Sequence, residues 1–143
     1  MSKTAVVYWS ATGNTEKMAE YVAEGLTEAG AAVSIFTAGE FNTDLADTYD
    51  AIAFGCPSMG AEVLEEDEFQ PMWDSVESKL KGKKIALFGS YVWGDGEWMR
   101  NWEEACINSG ISLACGYVIC NEAPDDEAKE ACKALGKALI QEA

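Results

Sequence analysis

The stretch Thr4-Ala5-Val6-Val7-Tyr8-Trp9-Ser10-Ala11-Thr12-Gly13-Asn14-Thr15 passes from an apolar run into a cluster of hydroxyls, an amide and a glycine. Residues 4–9 have the length and continuity of a strand buried on both faces. Residues 15–29 then place Met18, Tyr21, Val22 and Leu26 at helical spacing, and Gly30 stops the pattern. The polar run at 10–15 therefore lies between a strand end and a helix start, where free backbone N–H groups and the helix dipole attract an anion. It contains no Lys or Arg and lacks the G-x-x-x-x-G-K-[ST] spacing that gives a nucleoside triphosphate its lysine. A phosphate monoester held by neutral donors suits it better. Read alone, the same residues also describe an ordinary Ser/Thr/Asn helix cap.

Downstream the alternation repeats. Strands are expected over 32–36, 51–55, 84–89 and 111–120, and helices over 69–80, 97–108 and 125–142. Strands separated by helices pair in parallel through right-handed crossovers, and near-continuous apolar strands need cover on both faces. The fold class is α/β, a doubly wound five-stranded parallel sheet. In strand order 2-1-3-4-5 a ligand binds beyond the carboxyl ends of the first and third strands, where the order reverses. No repeat, linker or low-complexity segment divides the chain, so one domain over residues 1–143 is expected.

Composition narrows the function. The chain carries 10 Lys and Arg against 25 Asp and Glu, a formal net charge of −15. Residues 18–78 contain 14 carboxylates and no Lys or Arg. Such a surface repels nucleic acid and anionic lipid and would meet a basic patch on a partner; solubility alone is the competing explanation. The absence of His removes Ser–His–Asp and Cys–His catalysis and the commonest metal ligand. Five cysteines without a C-x-x-C pair argue against zinc or iron–sulfur sites and for reduced thiols, most of them buried. Residues 1–3 lack the basic and long apolar regions of a signal peptide, and no apolar run approaches the ~20 residues of a membrane span. A cytoplasmic location is expected.

Two further loops follow strand ends. The third strand leads into Gly55-Cys56-Pro57-Ser58-Met59-Gly60-Ala61-Glu62, then Phe69-Gln70-Pro71. The fourth leads into Gly89-Ser90-Tyr91-Val92-Trp93-Gly94-Asp95-Gly96, then Trp98-Met99. With Val6-Val7-Tyr8-Trp9 and Ser10–Thr15, and with Asn121-Glu122-Ala123-Pro124-Asp125 before the last helix, these resemble the flavodoxins along the whole chain. The uninterrupted fifth strand resembles their short-chain subgroup.

The resemblance implies flavin mononucleotide (FMN) as cofactor. Ser10, Ala11, Thr12, Gly13, Asn14 and Thr15 would take its phosphate, with the Ser90 hydroxyl. Trp93 would stack on the outer face of the flavin and Met59 cover the inner one, with Pro57, Ser58 and Ala61 in the same loop. The Gly60 carbonyl would accept the flavin N5–H after one-electron reduction, glycine tolerating the turned peptide. Glu62 would accept the N3–H. Backbone N–H groups of Val92 and Trp93, in the Tyr91–Asp95 loop with Gly94, would approach N1 and O2. Tyr91, Trp98 and Trp102 read as core or rim packing, Met72 and Trp73 as core, and residues 65–68 as a solvated acidic face. Val92 departs from a position that is often glycine, so the third loop would be built differently if that position needs positive φ. Ala61 stands where many relatives are polar.

A bare flavin site with no substrate apparatus suits a one-electron carrier, not an enzyme, and the resemblance implies that its electron transfer is low-potential and serves partners that otherwise use ferredoxin. It would act as a cytoplasmic monomer shuttling between basic-faced redox enzymes, reductases and ferredoxin-dependent oxidoreductases, in place of ferredoxin. The alternatives on the same fold are an NAD(P)H-dependent quinone reductase, which needs a nicotinamide platform, and a phospho-acceptor module. The latter needs an acidic cluster at the end of strand one, where Ser10-Ala11-Thr12 stands.

Overall fold

A computed structural model of the chain describes residues 3–11, 13–59, 63–92 and 94–141. Five parallel strands form one sheet: β1 (Lys3–Tyr8), β2 (Ala32–Thr37), β3 (Ala51–Gly55), β4 (Lys84–Tyr91) and β5 (Val118–Asn121). Their order is β2-β1-β3-β4-β5, as expected. The helices are α1 (Asn14–Glu28), α2 (Thr43–Thr48), α3 (Phe69–Val76), α4 (Glu97–Asn108) and α5 (Asp126–Leu139). Because β1 has β2 on one side and β3 on the other, the chain leaves these neighbours in opposite directions and a crevice opens past their carboxyl ends.

Side chains of the central strands alternate between two cores. Val7, Ile52, Phe54, Ile85 and Leu87 pack with α3 and α4, where Trp73 meets Phe54 and Trp102 edge-on at centroid separations of 5.0 and 5.4 Å. Val6, Ala51, Ala53, Ala86 and Phe88 face α1 and α5. Alanines dominate that second face, so its helices sit low and crowd each other. A methyl group on Gly25 would strike the Lys133 backbone, and one on Gly136 the backbone of Val22 and Leu26.

Three boundaries differ from the sequence reading. β5 pairs with β4 only over 118–121, with one isolated bridge upstream from Leu113 to Ile85. At this edge the strand is only half-buried, and Gly116 interrupts it without a side chain to pack. The helix expected over 69–80 ends at Val76 and tightens into a 3₁₀ turn at Glu77–Lys79. Between β2 and β3 lie a 3₁₀ turn, Ala38–Glu40, and α2, both short and locally capped: Glu40 accepts from Thr37, and Asn42 Oδ1 from Leu45 N at 3.0 Å. No helix among the described residues is long and apolar enough to cross a membrane.

Candidate functional site

Beyond Tyr8 the pairing of β1 with β3 continues for one residue, Trp9 N–H donating to the Gly55 carbonyl at 3.0 Å. The chain then turns sharply. Ser10 Oγ accepts the Gly13 N–H at 3.0 Å, and Gly13 takes φ 95° to enter α1. That left-handed conformation favours glycine, and open space surrounds the missing Cβ. Among the described residues, no side chain makes the usual N-cap bond to α1, whose N-cap position is Gly13. That end is available to an anion. Thr15, 1% exposed, bonds hydroxyl to hydroxyl with Ser90 at the end of β4, 2.7 Å away.

The second loop is tied to the third. Cys56 N–H donates to the Phe88 carbonyl and Ser58 N–H to the Ser90 carbonyl, at 3.1 and 3.0 Å, while Trp98 Nε1 donates to the Cys56 carbonyl at 3.1 Å. Burial pushes the Cys56 thiol far above the usual cysteine range, so it stays neutral. Met59 and Val63 exchange two backbone hydrogen bonds of 2.9 Å as an isolated antiparallel bridge. Among the described residues of the third loop, those with left-handed backbone are Gly94 and Gly96, at φ 90° and 95°. Val92 is not among them, which is how this loop dispenses with glycine there. Asn121 Nδ2 braces the loop from β5, donating to the carbonyls of Tyr91 and Val92 at 3.2 and 3.4 Å.

These loops enclose a cavity of about 90 Å³. Ser10, Ala11, Asn14 and Thr15 line it from the first loop, Pro57, Ser58 and Met59 from the second, and Ser90, Tyr91 and Val92 from the third. Hydroxyls and an amide gather at the α1 end, and apolar surface at Pro57, Met59, Tyr91 and Val92. That donor set fits a molecule with a phosphate at one end and a flat apolar ring at the other. The cavity is smaller than a whole nucleotide, so such a ring would rest against the loops and not in a closed pocket. A larger cavity, about 340 Å³, lies on the β2 side of the first loop. Glu16 and Glu68 line it with no cation, which disfavours a phosphate there.

Gly13 lies beside the larger cavity, and Gly94 and Asp95 line neither. Asp95 instead pairs with Arg100 at 3.0 Å, and this bond raises the guanidinium pKa above its ordinary value. Thr12, Gly60, Ala61, Glu62 and Trp93 lie outside the described residues. Trp98, Trp102, Met72 and Trp73 are buried core as expected, and Tyr91 is rim, tilted against Trp98 at 5.6 Å. The acidic run needs a correction: Glu66, Asp67 and Glu68 are exposed, but Glu65 is buried, its carboxylate taken up by backbone N–H groups. Within a run of four acids, the sequence signal for that role is only its place four residues ahead of Phe69.

Residues 6–136 match the flavodoxin family. The chain is 46% identical to a flavodoxin of Clostridium beijerinckii, over 94% of this chain and 96% of that protein. It is 44% identical to a flavodoxin of Megasphaera elsdenii, over 95% and 97%. The solution structure of two-electron reduced Megasphaera elsdenii flavodoxin superposes with a TM-score of 0.87 at 43% identity, covering 95% of this chain and 97% of that one. A flavodoxin from the domain Archaea superposes at 0.83 with 25% identity. Sequence and architecture agree over nearly the full length, and the chain belongs to the flavodoxin family, FMN-binding electron carriers that are not enzymes.

Proposed function

We infer that this chain is a low-potential, one-electron carrier of the cytoplasm, standing in for ferredoxin between redox enzymes with basic docking faces. The observation that carries this reading is the convergence of three loops at the carboxyl ends of β1, β3 and β4, beside the start of α1 at Gly13. Ser10, Thr12, Asn14, Thr15 and the loop amides would hold the FMN phosphate, with the Ser90 hydroxyl beside Thr15. Met59 and Trp93 would cover the two ring faces, and Glu62, Gly60 and the Val92–Trp93 backbone would meet the polar edge; the roles of Thr12, Gly60, Glu62 and Trp93 rest on the family resemblance. Bound there, FMN supplies stepwise single-electron chemistry. The chain supplies phosphate donors, aromatic and thioether cover against water, and a negative rim. That rim favours a basic partner, and five free thiols suit a reducing compartment.

Purified protein should show a yellow flavin spectrum, two separate one-electron couples on redox titration, and no steady-state NAD(P)H oxidation. Turnover of NAD(P)H by the isolated protein would favour the quinone-reductase alternative instead.

A further inference from the structure

Glu65 is an acidic side chain only 5% exposed, and no Lys or Arg among the described residues pairs with it. Burying a lone carboxylate is costly unless hydrogen bonds replace its water. Here Oε1 accepts the N–H groups of Glu68 and Phe69 at 2.8 and 2.7 Å, and Oε2 that of Asp67 at 2.8 Å. Glu68 and Phe69 are the N-cap and first residue of α3 and Asp67 precedes them, so the carboxylate closes the entry to that helix as a charge-assisted cap. The same residue reaches back to the second loop, its own N–H donating to Cys56 Sγ at 3.4 Å. Cys56 is in turn fixed to β4 and to Trp98 of α4. Pro57, Ser58, Met59 and Val63 thus lie between two residues, Cys56 and Glu65, that are joined to each other, and Met59 and Val63 are paired as well.

We propose that Glu65 is a positioning residue for the flavin: through α3 on one side and Cys56 on the other, it sets where Ser58, Met59 and Val63 stand. This rests on the reading that the second loop covers the cofactor. Neighbouring Glu66 is exposed, so it provides a matched loss of charge without loss of the cap.

The test compares Glu65→Gln with Glu66→Gln. Glutamine keeps one acceptor but turns an NH₂ against a backbone N–H that now faces another donor. In the FMN-free protein, amide hydrogen exchange over 63–69 should accelerate for Glu65→Gln only. Both FMN and riboflavin should bind Glu65→Gln about tenfold more weakly, with their ratio kept because the phosphate contacts are untouched. The potential of the first one-electron couple should also move in this variant and stay put in Glu66→Gln. Faster exchange with unchanged flavin affinity and potential would overturn the proposal, leaving Glu65 a structural cap. Should Glu65→Gln not fold, Glu65→Asp, with its shorter reach, carries the same comparison. Met59→Ala separates the two readings: if it too leaves flavin binding unchanged, the loop does not cover the flavin and the site assignment fails with the proposal.

Discussion

The Thr15–Ser90 contact shows how much one hydrogen bond decides at this site. Two hydroxyls 2.7 Å apart can share only one proton between them, so the pair keeps one O–H to donate outward. If a phosphate takes that proton, Thr15 and Ser90 act as a unit. Thr15→Ala and Ser90→Ala should each weaken FMN about ten- to a hundredfold, as a lost bond to a charged group does, and barely affect riboflavin. The double variant should bind little worse than either single one, because the first removal already breaks the chain. Titration by flavin fluorescence quenching reads all four affinities; equal losses for FMN and riboflavin would place the phosphate elsewhere. This hydroxyl cluster was legible in the sequence because anion binding without cations requires small donors at a helix start. Glu65 was not. Its burial depends on where α3 begins in space, and an acid among acids looks solvated.

Among the elements, strands covered on both faces announced themselves as apolar runs, so β1, β3 and β4 were readable. β5 was readable but too long, expected over 111–120 and paired with β4 only over 118–121, because Gly116 breaks its ladder. The way α1 meets α5 was hidden. Gly25 and Gly136 look like weak points in two helices, where alanine normally gains ~1 kcal/mol. In the fold each lies against the other helix's backbone, which cannot yield as a flexible side chain would. Gly25→Ala and Gly136→Ala should therefore destabilise the protein, by ~1–3 kcal/mol if the helices separate slightly to make room. Urea unfolding of the FMN-free protein measures this. A variant at least as stable as the wild type would show that the helices are not packed this closely.

Across the whole molecule, charge is sorted by height along the strands. Lys3 and Lys84 open β1 and β4, and Lys79, Lys81 and Lys83 precede β4, so half of the 10 cations lie at or near the amino-terminal rim. At the opposite rim, Lys17, Arg100 and Lys129 stand in the first turns of α1, α4 and α5. Arg100 is spent on Asp95, and Lys129 lies over the Tyr21 ring at 5.5 Å. Glu66, Asp67 and Glu68 are exposed just past the second loop, and their carboxylates would act on the proposed cofactor site. They oppose any step that leaves extra negative charge there. At ~10 Å each contributes roughly 0.4 kcal/mol in water and ~1.7 kcal/mol at an effective dielectric near 20. Since ~59 mV corresponds to about 1.4 kcal/mol for one electron, each charge would lower the potential of a flavin at that distance by tens of millivolts before salt screening. Glu66→Gln/Asp67→Asn should raise the more negative couple by that order and scarcely move the other. Glu65 is left intact because its removal would disturb α3. The shift should shrink as ionic strength rises, and association with a basic-faced partner should slow most at low salt. A lower couple within error of wild type at low salt would show that the rim does not tune the flavin. An unchanged association rate as well would mean that the acidity serves solubility alone.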